Sequence, residues 1–206
     1  MFNKIYIKNI IKLVLRIAAI LVIYQFCRLL FFVYNSDYFS EIHFIDYIRI
    51  VKGSIRFDIS AVLYINALVI ILTLLPSKKL IMRWYQNMIH QLYIYCNLLG
   101  IIINIIDVFY YPFSKRRMTY SLVNEFSNEK GIFNMLVEFS KDYWFVIPLF
   151  IIIFYILKYL SNLTKINNKE IRYTKKTIFS SCVICLSCLT LVIFGMRGSF
   201  IIKNRP

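Results

Sequence analysis

Five stretches of the chain are almost free of charge, and short clusters of charged residues separate them. The apolar stretches are Ile10–Val33, Ile59–Leu75, Leu92–Phe109, Phe145–Leu160 and Thr177–Gly195. A helix rises about 1.5 Å per residue, so about 20 apolar residues cross a hydrocarbon core of about 30 Å. The second and fourth stretches are short for this. Flanking residues complete them, Arg56–Asp58 at one start and Lys158, snorkelling, at the other end. An isolated strand would leave its backbone polar groups without partners in lipid, so each stretch is predicted to be a helix.

Two of the connecting segments have a pattern of their own. Tyr38, Ile42, Ile45 and Ile48 recur at helical spacing beside Glu41, Asp46 and Arg49. Leu122, Phe126, Phe133, Leu136 and Phe139 do the same, broken at Gly131. Such faces suit helices lying in the membrane interface, or helices packed on the ends of the bundle. Trp144 and the tyrosines fit the aromatic belt of a membrane protein. The predicted fold is therefore all-α. It is a polytopic membrane protein of five transmembrane helices with interfacial helices in the two outer loops, a single domain over residues 1–206.

Composition supports that class. Apolar and aromatic residues make up 60% of the 206, whereas soluble domains hold roughly 45–50%. A soluble core of this size could not bury so much. The net charge is +15, which raises nucleic acid as a partner. The basic residues, however, sit in short clusters between the apolar runs, a pattern that sets membrane orientation, and no nucleic-acid partner is expected. Residues 1–16 carry Lys4, Lys8, Lys12 and Arg16, and residues 76–90 carry Lys78, Lys79 and Arg83, with no acid in either. Residues 161–176 carry Lys165, Lys169, Arg172, Lys175 and Lys176 against Glu170. The other two loops are balanced. Residues 35–58 hold three bases and four acids; residues 110–143 hold five and four. Lys and Arg accumulate on the cytoplasmic side, so the expected N-terminus is inside and the C-terminus outside. The first apolar stretch is too long for a signal peptide's core and lacks a small-residue cleavage site, so it reads as a retained signal anchor.

The residues that could carry chemistry are few. Cys182, Cys185 and Cys188 form a CxxCxxC along one helix with no fourth ligand, which suits close helix packing better than an iron–sulfur cluster. Cys27 and Cys96 are isolated, and His43 and His90 have no metal-ligand spacing. The third stretch is more informative. Tyr93, Asn97, Gly100, Asn104, Asp107 and Tyr111 recur every three or four residues and place a polar and small stripe on one face. Two readings stand: interhelical hydrogen bonding, or a polar wall leading to a headgroup site near Asp107. Around that end the pattern also brings Arg56, Asp58, Lys115, Arg116, Arg117 and Arg197. Arg pairs with phosphate through two parallel bonds and Lys adds point charge, so these form a candidate lipid-headgroup site; snorkelling and local pairing with Asp58 or Asp107 is the plainer reading. There is no phosphate loop, no HExxH and no nucleophile beside a base.

Three stretches carry a family likeness. "KGSIRFDISAVLYINALVIILTLLP", "NIIDVFYYPFSKRRMTYSLVNEF" and "RGSFIIKNRP" resemble the second span, the third span and the segment after the fifth span of lipoteichoic acid synthase-like proteins. These are the phosphoglycerol transferase and sulfatase-type family of bacterial envelopes. The resemblance runs from about Arg56 to Pro206. It implies five spans followed by an extracellular α/β domain with a divalent metal and a Thr nucleophile, which takes a phosphoglycerol group from phosphatidylglycerol. No residue here matches that nucleophile or the metal ligands, so no catalytic residue and no cofactor is expected in this chain. Residues 196–206 then look like a connector towards that extracellular domain. The expectation is a membrane anchor and candidate lipid-presenting module, inactive alone, whose partners are membrane lipids. The rival readings are a stand-alone membrane protein that binds a partner or transports a solute, and the membrane domain of a phosphoethanolamine transferase, which shares the five-span plan.

Overall fold

The computed structural model describes residues 2–39, 43–75, 82–115, 146–164 and 175–197, together with Leu80 and Trp144. Among the described residues there are six α-helices, one 3₁₀ turn and no strand. Helix α1 is Phe2–Tyr34, α2 Phe44–Ile65, α3 Ala67–Leu74, α4 Arg83–Ser114, α5 Val146–Leu163 and α6 Lys175–Arg197. The 3₁₀ turn, Ser36–Phe39, follows α1.

Nothing interrupts α1, because no Gly or Pro lies between Phe2 and Tyr34. Its buried positions Leu13, Arg16, Ile20, Tyr24, Cys27 and Phe31 recur every three or four residues and form the stripe on which the bundle packs. Helix α4 lies against it most extensively; α2, α3, α5 and α6 pack around the pair. Gly100 allows the closest approach: a methyl group there would overlap the Tyr24 hydroxyl.

Three helices, over Ile7–Tyr34, Arg83–Pro112 and Val146–Leu163, are long and apolar enough to cross a membrane; counting the bent pair α2–α3 as one span makes four. The molecule is thus a helical membrane protein. The second predicted span differs in two ways. It is not a separate element, because one helix runs from Phe44 through Gly53 into the apolar residues. A lone glycine costs a helix only about 1 kcal/mol and does not end it. Nor is it straight: α2 and α3 meet at Asn66 with a bend of 62°. There the Asn66 side chain donates back to the Val62 carbonyl, at 2.9 Å, inside the helical ladder.

Bonds between helices sort the bundle into two ends. At one end Arg28 meets Asp58, Asn35 donates to the Val108 carbonyl at 3.0 Å, and Ser60 donates to the Met196 carbonyl. At the other, Arg16 donates to Thr164 at 2.9 Å, His90 bonds Ser161 at 2.6 Å, and Tyr85 donates to the Leu72 carbonyl at 3.1 Å. Successive segments therefore alternate in direction. The predicted interfacial helix over Leu122–Phe139 lies outside the described residues.

Candidate functional site

At the Asp58 end a carboxylate is buried between two helices. Asp58 is 8% exposed. One terminal nitrogen of Arg28 lies 2.6 and 2.9 Å from its two oxygens, and Gln25 donates to it at 2.6 Å. Burial of a charge is costly unless an opposite charge and hydrogen bonds offset it, and here both are supplied by one turn of α1. Arg28 Nε is buried and donates to no described group.

Arg28 also lines two hollows. The smaller is polar, bounded by Tyr24, Cys27, Arg28, Phe31, Asn104 and Asp107. The larger has a volume of about 280 Å³ and is walled by Phe31, Phe32, Phe39, Tyr47, Ile50 and Tyr111, with Arg28 the one charged lining residue among those described. Its rings pack on one another. The Phe32 and Tyr47 centroids are 4.6 Å apart, Phe31 meets Tyr111 edge-on at 5.0 Å, and Phe39 stacks on Tyr111 at 5.6 Å. Edge-on and offset contacts of this kind hold aromatic walls rigid. Beside the chamber, Lys115 ends α4 in the left-handed conformation, with φ 55°, and its backbone N–H closes on the Tyr111 carbonyl at 2.8 Å. Its ammonium sits 3.3 Å from the centroid of Tyr38, whose ring lies edge-on to Tyr111.

The polar stripe of α4 faces inward as its spacing suggests. Tyr93 donates to the Arg16 carbonyl at 3.1 Å. Asn97 and Asn66 exchange two amide bonds of 2.8 Å while each donates its second N–H to the carbonyl four residues back. Asn104 donates to the Gly100 carbonyl at 2.9 Å and, with Asp107, lines the small polar hollow. The lower half of the stripe is thus interhelical hydrogen bonding, and the upper half borders the Arg28 hollows.

Of the candidate headgroup residues, Asp58 and Asp107 come together around Arg28, with Asn104 of the polar stripe beside Asp107, and Lys115 joins them through Tyr38 and Tyr111. Arg56 and Arg197 are exposed elsewhere. The Ser60–Met196 bond places the last turn of α6 beside α2, and neither Arg56 nor Arg197 is among the residues that line the two hollows. Arg116 and Arg117 lie outside the described residues. The sequence pattern does not single out Tyr24, Gln25 or Arg28. The available signal was an arginine inside an apolar span, which marks either a partner or a polar cavity.

A second polar cluster occupies the opposite end. Arg16 is buried with no carboxylate partner among the described residues. It instead donates to the Ser161 carbonyl and Thr164 hydroxyl at the end of α5, and lies 5.2 Å from the Tyr93 ring centroid. The negative end of a helix dipole and a π-face share the work of a counter-ion. Among the described residues no three His, Cys, Asp or Glu side chains gather as a metal site would need.

Compared with family models, curated proteins and solved structures, the chain finds no match in any of the three.

Proposed function

We propose that this chain is the membrane anchor and lipid-presenting domain of a lipoteichoic acid synthase-like phosphoglycerol transferase, and that the aromatic chamber beside Arg28 seats an anionic lipid headgroup such as that of phosphatidylglycerol. The observation that carries this reading is the chamber's lining, which among the described residues is five aromatic rings, one isoleucine and one guanidinium. An arginine has five N–H donors, and Asp58 engages a single terminal nitrogen. The ion pair therefore orients Arg28 and leaves donors for a phosphate, while Lys115 adds positive charge near the rim. Five spans with the N-terminus inside accompany the proposal. The alternating bundle ends and the cytoplasmic charge bias support them, and they put Arg28, Asp58 and Asp107 on the outer face. Transport is the weaker reading, because the mid-depth polar groups Asn66 and Asn97 are fully engaged with each other.

The test is lipid preference of the purified chain in nanodiscs, read by native mass spectrometry with phosphatidylglycerol and phosphatidylcholine. The double variant Arg28→Gln/Asp58→Asn removes both charges and keeps hydrogen-bonding side chains at both positions. It should lose the preference for phosphatidylglycerol while staying folded. A folded double variant with the parent's preference would exclude the chamber as the headgroup site. Reporter fusions after Lys79 and Lys175 should read cytoplasmic and one after Arg117 external; the opposite pattern would invert the site.

A further inference from the structure

We propose that the small hollow between Tyr24, Asn104 and Asp107 is a binding site for one ordered water molecule, built into the contact between α1 and α4. The inference is independent of the lipid reading. Its volume is about 10 Å³, the least space that holds a water. Tyr24 is 5% exposed, and its hydroxyl has no hydrogen-bond partner among the described groups. That hydroxyl lies against α4 at Gly100, where an added methyl would overlap it. Asn104 is one turn further along the same face, and Tyr24 and Asn104 both line the hollow. A second buried atom without a partner, Arg28 Nε, belongs to another lining residue. Hydrocarbon offers neither group a partner, so the fold must supply one.

The lining selects the ligand. The Arg28 guanidinium disfavours a metal cation, and the Asp107 carboxylate disfavours an anion. Water is neutral and both donates and accepts. It can give a proton to Asp107 or Asn104 oxygen and accept from Arg28 or Tyr24, which matches the roughly three bonds of a typical buried water. Such a water joins Tyr24 and Arg28 of α1 to the upper half of the polar stripe of α4.

X-ray radiolytic footprinting of the full chain in nanodiscs, in ¹⁸O-water, reads this directly, because radicals formed at a bound water label its neighbours. Cys27 lines the hollow; Cys185 is comparably buried, on α6, and does not. Cys27 and Tyr24 should take up ¹⁸O several-fold faster than Cys185. Tyr24→Phe should slow labelling at Cys27 several-fold with an unchanged melting temperature; if that variant fails to fold, Asn104→Leu serves the same purpose. Labelling of Cys27 no faster than Cys185 would mean a dry hollow and overturn the proposal. Protection of Cys27 that appears with sodium and vanishes with choline would overturn it in favour of a cation.

Discussion

Replacing Arg28 by Gln leaves Asp58 buried with only Gln25 as a described hydrogen-bond partner. The Arg28 and Asp58 side chains are 18% and 11% exposed, so solvent screens the pair only slightly. Losing one member of such a pair costs about 3–5 kcal/mol, because the survivor stays charged and desolvated. Arg28→Gln should therefore lower unfolding stability by about 3 kcal/mol, the low end of that range because Gln25 still donates to Asp58. Asp58→Asn strands the guanidinium instead, at a similar cost. The double variant strands neither charge, so its loss should not exceed that of either single change. The expected coupling is then at least about 3 kcal/mol, at the upper limit for neighbouring side chains. Reversible unfolding in mixed micelles with rising sodium dodecyl sulfate, run on all four proteins, completes the cycle. Additivity of the two single effects within about 0.5 kcal/mol would refute the argument, since independent sites behave that way.

Other expectations follow from the same contacts. Asn97→Leu removes two mutual amide bonds and leaves Asn66 Oδ1 without its partner while the Asn66 amide still donates to Val62; at about 0.6 kcal/mol per bond in a membrane bundle, plus the desolvated oxygen, it should destabilise by about 1–3 kcal/mol in the same assay. Gly100→Ala should destabilise by driving a methyl into the Tyr24 hydroxyl, and Tyr24→Phe, which removes the overlapping atom, should rescue it in a thermal melt. Thr164→Val removes one Arg16 acceptor, at 2.9 Å; it should cost about 1–2 kcal/mol, since a bond to a charged group is lost, without altering lipid preference.

What the sequence made legible follows from which signals are local. The inward face of α4 could be read because Tyr93, Asn97, Gly100, Asn104 and Asp107 repeat at helical spacing. The core positions of α1 repeat as clearly, yet Arg16 looked like one more cytoplasmic charge. Burial and its bonds to the end of α5 become visible only when α5 is in place. Asn66 is a single polar residue in an apolar run. Its partner lies 31 positions away, so neither the amide pair nor the bend could be read from neighbours. The helices also run beyond the apolar stretches that mark them. Helix α4 begins at Arg83 and α2 at Phe44, well outside their apolar stretches, because hydropathy marks membrane depth whereas backbone bonding continues into polar turns. The sequence pattern sets Asp58 among basic neighbours on its own segment, whereas its partner comes from α1.

The central claim is that the Arg28 chamber holds an anionic headgroup, and a photoreactive residue inside it tests this most directly. Benzoylphenylalanine at Phe39, which lines the chamber, is compared with the same residue at Leu186, which is exposed on α6, in nanodiscs of equal phosphatidylglycerol and phosphatidylcholine. The account predicts that the Phe39 probe crosslinks phosphatidylglycerol in clear excess and that the Leu186 probe takes both lipids alike. Equal crosslinking of the two lipids at Phe39 would contradict it.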